Sequence, residues 1–460
     1  MASSLDRKAL DRHSASIRKQ FEAALAELVA IPTISMDPTK KHEITRGAEA
    51  ACATLRALGA RAEVLPTEGN PVVVGRFDKS PKLPTVTVYN HMDVQPADGD
   101  DWVRPPFRLQ VDGERYWGRG ATDDKGPALT ALYGARAAVD ADLPVNIHFL
   151  WEFEEEIGSP NFEAFLKQQK KSLRTGSVVV SDTIWIARGR PALSAGLRGL
   201  QGATLRLQTA AQDVHSGVVG GAARNPVGEL CALLTRLHDP ATGRVKIPGF
   251  YADVVPPSRA ELASFRRSGF TLAEFKRAHA LRSLRQRDAA AVMRAIWAEP
   301  TFEVHGIAGG YQGTGIKTVV PPFAEAKVSM RLVPDQTPAQ AFRLLRDRVK
   351  QLAPDVVVEA ESSLAPFRGI TTGPLAEAAS EAIHFGFGKT PAFVREGGSI
   401  GAVVTMQKVL RCPVLFVGLS LPEHGYHAPN EFYDWGQASG GIKAFARYFE
   451  RVSALGRESG

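Results

Sequence analysis

TVTVYNHMD, residues 85–93, is a β-branched run that stops in a histidine and a carboxylate two residues apart; GRGATDDKG, residues 118–126, follows with two more carboxylates. The first segment reads as a strand. Open α/β sheets collect their ligand sites beyond the carboxyl ends of their strands, so His91 and Asp93 are candidate ligands. Asp123 and Asp124 sit in a glycine-rich stretch expected to be neither helix nor strand.

The same event recurs downstream. VNIHFLWEF (145–153) runs into Glu154, Glu155 and Glu156, SVVVSD (177–182) stops at Asp182, and VLFVGL (414–419) leads to His424 and His427 in PEHGYHAPNE (422–431). Each begins as a nearly continuous apolar run, as in a parallel strand buried on both faces. Surface charge explains one or two such endings, not four. Imidazole and carboxylate without thiolate suit zinc, manganese or cobalt. On an extended segment the neighbours Glu155 and Glu156 point to opposite sides. One can therefore hold a metal while the other stays free as a general base.

NHMDVQPADGDDW, GRGATDDKG, EEEIGS, VVVSD, DVHSGVVGG, SMRLVP, REGGS and HAPNE, in this order over roughly residues 20–450, resemble the dinuclear zinc aminoacylase and dipeptidase family, most closely its cytosolic nonspecific dipeptidase and carnosinase branch. Ile157 stands where that branch often has a small polar residue; the paired glutamates are intact. The resemblance implies that His91 and Asp182 hold one metal, Glu156 and His427 the other, and Asp123 bridges both. It also implies a cis peptide after Asp123, with Asp93 orienting His91. Hydrolysis would then use a metal-bridging hydroxide with Glu155 as general base. The cofactors would be two divalent ions per subunit, zinc first, with manganese or cobalt possible. His215 would hold the oxyanion, from a loop reaching across a dimer interface into the partner's site, and Thr318 and Ser399 would contact substrate. Arg331 is the candidate for the substrate carboxylate, because guanidinium binds carboxylate as a planar fork. Glu423 and His424 are assigned to the loop carrying His427. His13, His42, His148, His238, His279 and His305 match no motif and are assigned structural roles.

The 460 residues exceed one domain of usual size, and 44% apolar content supports ample cores. Between Asp182 and His427 no buried strand delivers a ligand pair. GATLRLQ, FEVHGI, EAKVSMRLVP and VVVEAE read as strands there, with helices after the first and third, which fits a ferredoxin-like βαββαβ layer. The resemblance implies the same plan: a zinc-aminopeptidase-like α/β catalytic domain with a mostly parallel sheet flanked by helices, interrupted by an α+β lid and dimerisation domain. The expected boundaries are 1–197 and 367–460 for the catalytic parts and 198–366 for the lid.

A net charge of +7 raises nucleic acid as a partner. The excess lies between Arg259 and Arg294, where Thr271 and Glu274 form an expected capping box. The helix after it would bury Leu272, Phe275, Leu281 and Leu284 and leave its arginines to solvent. With no aromatic interleaving, neither nucleic acid nor membrane is expected as a partner. Apolar runs are only strand length, the N-terminus MASSLDRKALDRHSAS has no apolar signal core, and Cys52, Cys231 and Cys412 are too few for a disulfide framework. The expected location is cytoplasmic. The expected activity is hydrolysis of dipeptides with a free C-terminal carboxylate. An N-acyl-amino-acid deacylase or carboxypeptidase would keep every ligand and differ in the pocket, and a non-catalytic amino-acid or peptide binder would lack Glu155 or Asp123.

Overall fold

The computed structural model describes residues 5–99 and 101–458. Its central sheet has the strand order Arg61–Leu65, Val72–Phe77, Asn146–Glu152, Thr85–His91, Ser177–Val180, Val414–Phe416. The last four run parallel to one another, so the four ligand-bearing ends leave one edge of the sheet together. The first two add an antiparallel margin.

Strand alternation divides the apolar side chains between two cores. Val86, Val88, Phe149 and Trp151 meet Phe21, Leu25, Leu132 and Phe445 on one face, while Tyr89, Leu150, Val178 and Val180 meet Phe165, Val403 and Met406 on the other. Five helices cover the first face: Arg7–Val29, Lys41–Ala57, Gly126–Asp140, Pro374–Phe387 and Trp435–Glu458. Asp6 starts the first by accepting from the Lys8 and Ala9 amides, the usual service of an N-cap carboxylate. Where Gly126–Asp140 crosses Trp435–Glu458, a Cβ on Gly134 would stand 2.5 Å from Phe445 Cβ, so the bare glycine permits the approach.

A second, wholly antiparallel sheet runs Thr301–Gly309, Phe323–Leu332, Gly199–Gln208, Val357–Leu364. The helices Pro226–Leu237 and Pro338–Leu352, capped by Asn225 and Thr337, bury Leu230, Leu233, Leu237, Leu345 and Val349 against one face. This is the ferredoxin-like βαββαβ order, carried as an insertion in the α/β unit.

Three local readings are corrected. The basic segment is not one long helix: Leu272–Ala278 ends at His279, Leu281 is 39% exposed, and Leu284 is only partly buried. Thr271 does cap it by accepting from the Glu274 amide, but the Glu274 carboxylate takes the Thr271 hydroxyl and Arg190 instead of closing the box. Ala121–Lys125 is an irregular helical turn running straight into Gly126–Asp140, with Asp123 itself non-helical (φ −128°, ψ 83°) and the Asp123–Asp124 peptide cis. Glu155–Ile157 is a tight helical turn, not extended chain. Glu155 and Glu156 therefore diverge by the angular step of that turn instead of by strand alternation.

No helix among the described residues is long and apolar enough to cross a membrane. Cys52 and Cys412 are buried free thiols, and Cys231 is an exposed one.

Candidate metal centre and cleft

His91 emerges buried at the end of its strand, with Nε2 3.0 Å from Asp123 Oδ1 and 3.7 Å from Asp182 Oδ2. On the far side of Asp123, His427 Nε2 lies 3.1 Å from Oδ2 and 3.3 Å from Glu156 Oε2. Two ligand groups, His91–Asp123–Asp182 and Asp123–Glu156–His427, thus share one carboxylate, with the donor atoms of each within 4.8 Å of one another. No lysine or arginine pairs with these three carboxylates among the described residues, and Glu156 Oε1 is buried without a hydrogen-bond partner. Three carboxylates, one of them with an oxygen left unpaired, and two imidazoles fit two divalent cations.

The electrostatics reflect the crowding. Burial alone would raise Asp123, yet hydrogen bonds from His427 and His91 hold it below the usual carboxylate range. Those to Asp123 and Glu156 push His427 up to about 10, and burial pushes Asp182 up to about 6 with Asp123 adding to it. Ligation requires neutral imidazoles, so protons and cations compete for this cluster.

Asp93 is wholly buried and ties two strand ends together. Its carboxylate lies 3.4 Å from His91 Nδ1 and accepts from the Glu155 amide (3.2 Å) and the Glu156 amide (3.1 Å). The Asp93 carbonyl is closer to the ring, 3.0 Å from Nδ1. Glu155 belongs to neither ligand group but lines the same cleft. Burial pushes its carboxyl well above the usual range, aided by Asp182, Glu156 and Asp93 and opposed by His91.

Several supporting residues were not singled out from the sequence. Glu431, fully buried, accepts from the amides of Gly120 (3.0 Å), Thr122 (2.8 Å) and Asp123 (3.1 Å) and pairs with Arg119 at 2.9 Å, clamping the turn that presents Asp123. Tyr426 donates to Asp182 (3.0 Å), Gln95 to Glu156 (2.6 Å) and Asn90 to Asp124 (2.7 Å). His424 is buried beside Thr122 and Asp434 and supports the loop without facing the ligands. All of them lie inside the quoted stretches, but as ordinary hydrogen-bonding types with partners in other segments they carry no spacing signal of their own.

The cleft over the cluster encloses about 1340 Å³ between the α/β unit and the inserted unit, and Arg331 and Ser399 line it, joined by a 3.2 Å bond from Arg331 Nη1 to Ser399 Oγ. His279, assigned a structural role from sequence, also lines it. His215 and Thr318 do not. They are exposed neighbours on the inserted unit, where Val214–His215 pairs with Val319–Val320, the Ser216 amide donates to Thr318 O (2.9 Å), and His215 Nδ1 accepts from Gly217 (2.9 Å).

A cleft with two joined acid–imidazole ligand groups and one free carboxylate, at the carboxyl edge of a mostly parallel sheet, defines a metal-dependent hydrolase. Residues 87–451 match the model of peptidase family M20/M25/M40. The chain is 31% identical to the Cys-Gly metallodipeptidase dug1 of Schizosaccharomyces pombe, over 95% of this chain and 96% of that protein. It superposes on human carnosine dipeptidase 1 with a TM-score of 0.85 at 30% identity, covering 99% of this chain and 100% of that one. The metallo-carboxypeptidase Sso-CP2 from Sulfolobus solfataricus gives 0.86 at 30% identity, covering 94% and 98%. The chain belongs to peptidase family M20/M25/M40 and is a metallopeptidase acting on peptide bonds.

Proposed function

We propose that this metallopeptidase is a dipeptidase that requires a free C-terminal carboxylate on its substrate. The observation carrying this reading is the split of Asp123, one oxygen toward His91 and the other toward His427, beside a non-ligating Glu155 and a cleft arginine. His91, Asp123 and Asp182 would hold one cation and Asp123, Glu156 and His427 the second. Bound there, two cations polarise a carbonyl and acidify water.

The remaining work falls to the chain's own residues. Glu155, which lines the cleft beside the ligand groups without belonging to either, takes a proton from the attacking water and delivers it to the departing amine. Asp93 fixes the His91 ring and, through two amides, the turn bearing Glu155 and Glu156. Arg331, with Ser399 beside it, receives the carboxylate. The donor set of imidazole and carboxylate with no thiolate supports zinc first, with manganese or cobalt as the alternatives it equally admits. The free thiols support a cytoplasmic setting.

We further propose a homodimer through the inserted unit, residues 198–366. Its edge strand Thr301–Gly309 is largely exposed, with Val304 and Ile307 each more than 40% accessible, and nearby Ile316 is 93% exposed. His215 and Thr318 are exposed and do not line their own cleft, which supports a role in a partner's. The relative from Sulfolobus, a carboxypeptidase, supports a second reading in which longer peptides are trimmed by the same chemistry.

The test is a panel of dipeptides, tripeptides and N-acyl amino acids, run after chelation and with zinc, manganese or cobalt restored. Dipeptides should lead, with no turnover before metal is added. Leading turnover of tripeptides or N-acyl amino acids would replace the dipeptidase reading, and full activity in metal-free protein verified by elemental analysis would end the metal mechanism.

A further inference from the structure

Three arginines line the cleft, and they are not alike. Arg395 is paired with Glu261 at 2.5 Å. Arg198 and Arg331 have no carboxylate within ion-pair distance among the described residues: Arg331 donates to Ser399 Oγ, and Arg198 Nη1 reaches only the Ala295 carbonyl at 3.4 Å. Arg198 Nε is sealed from solvent and has no partner at all. Sheet register explains why the two guanidiniums are neighbours. Arg331 lies opposite Leu200 and Leu332 opposite Gly199, where the ladder ends. Arg198 is the residue just before that strand end, which brings it close to Arg331.

Their surroundings join them at one spot. Ser399 Oγ takes the bond from Arg331 and donates to the Arg198 carbonyl at 2.5 Å. A Cβ on Gly397 would stand 3.0 Å from Arg198 Nη2, so glycine there leaves room for the guanidinium. Burial, then Arg331, pushes Arg198 down to about 10, which means the two charges feel each other. Two partly buried like charges without a counter-ion are unfavourable, and an anion between them reverses that balance.

We propose that Arg198 is a second carboxylate-binding residue, forming with Arg331 a two-guanidinium clamp on the substrate's single free carboxylate. This rests on the dipeptidase reading above, in which Arg331 alone was given the carboxylate. A planar carboxylate accepts from two forks at once, one on each oxygen. The rival role for Arg198 is purely structural, as a tether for the last turn of the helix Ala289–Trp297.

The experiment measures kcat and KM of the metal-loaded enzyme on one dipeptide and its C-terminal amide, for the wild type, Arg198→Lys, Arg198→Gln and Arg331→Lys, with thermal midpoints for each. The wild type should prefer the acid. Arg198→Gln should lower kcat/KM on the acid roughly ten- to a hundredfold, mostly through KM, and alter the amide less than about twofold. Arg198→Lys, which keeps charge and bulk, should show the same selective loss in smaller measure, and it carries the comparison if the glutamine variant does not fold. Equal losses on acid and amide, or an acid preference left intact, would make Arg198 a tether only. A wild type indifferent to the carboxylate would instead remove the free-carboxylate requirement itself, and no turnover of either substrate would remove the dipeptidase reading.

Discussion

Glu155 and Glu156 are adjacent in the chain and opposite in role. Glu156 Oε2 faces His427 and accepts from Gln95, while Glu155 stands in neither ligand group. Glu155→Gln should therefore keep metal content near wild type while kcat falls by roughly 10² or more, the usual worth of a positioned base. Glu156→Gln should lose metal first. Elemental analysis beside steady-state kinetics separates the two, and metal loss confined to Glu155→Gln would shift the assignment by one residue. The pair was legible in the sequence because an apolar strand ending in consecutive carboxylates, just before Gly158, has few structural explanations. The local geometry was not, because a tight turn and an extended strand both satisfy the same three letters.

At the scale of elements, the loop from Pro422 to Asp434 shows what holds the site in shape. Asp434 contacts His424 (3.1 Å), accepts from Arg188 (2.8 Å) and accepts from the Gln437 amide (2.8 Å). Burial works against its ionisation, but these bonds hold the carboxyl at about 2, below its ordinary 3.8. A depressed folded pKa contributes stability that is complete above the unfolded value and disappears as the pH falls through the folded one. Here that amounts to about 2 kcal/mol at neutral pH, lost between roughly pH 4 and 2. Asp434→Asn should thus be less stable than wild type by about that amount at pH 7, with the gap closing toward pH 2. Urea unfolding at a series of pH values checks it, and a gap constant with pH would mean that shape, not charge, is what the substitution removes. The strands feeding the site were readable because burial on both faces writes a continuous apolar run. The small sheets formed by Gln110–Asp112, Arg115–Trp117 and Phe432–Asp434, and by Ala192–Leu197, Phe367–Arg368 and Ala392–Glu396, were not: their strands are short and, apart from the hairpin of the first two, their partners lie far apart in the chain. Glu431 is hidden for the same reason, since it serves amides more than 300 residues away. The long basic helix failed because helical spacing of Leu281 and Leu284 says nothing of whether a surface exists to bury them.

For the whole molecule, the informative contrast is between the assigned residues that meet at the cleft and those that do not. The ligand cluster, Glu155, Arg331 and Ser399 converge there, whereas His215 and Thr318 sit exposed on the inserted unit. If His215 completes the site of a second copy, His215→Ala and Glu155→Ala should each be nearly inactive as homodimers. In a mixed dimer, the subunit with intact Glu155 would receive intact His215 from its neighbour, giving one competent site of two. Random pairing at equal expression makes about half the dimers mixed, so about a quarter of wild-type activity should return on co-expression. A His215 serving its own chain gives no such recovery, because no single site then holds both intact residues. Differential tags establish that mixed dimers form, and an inactive mixed population would show that each cleft is served by its own chain.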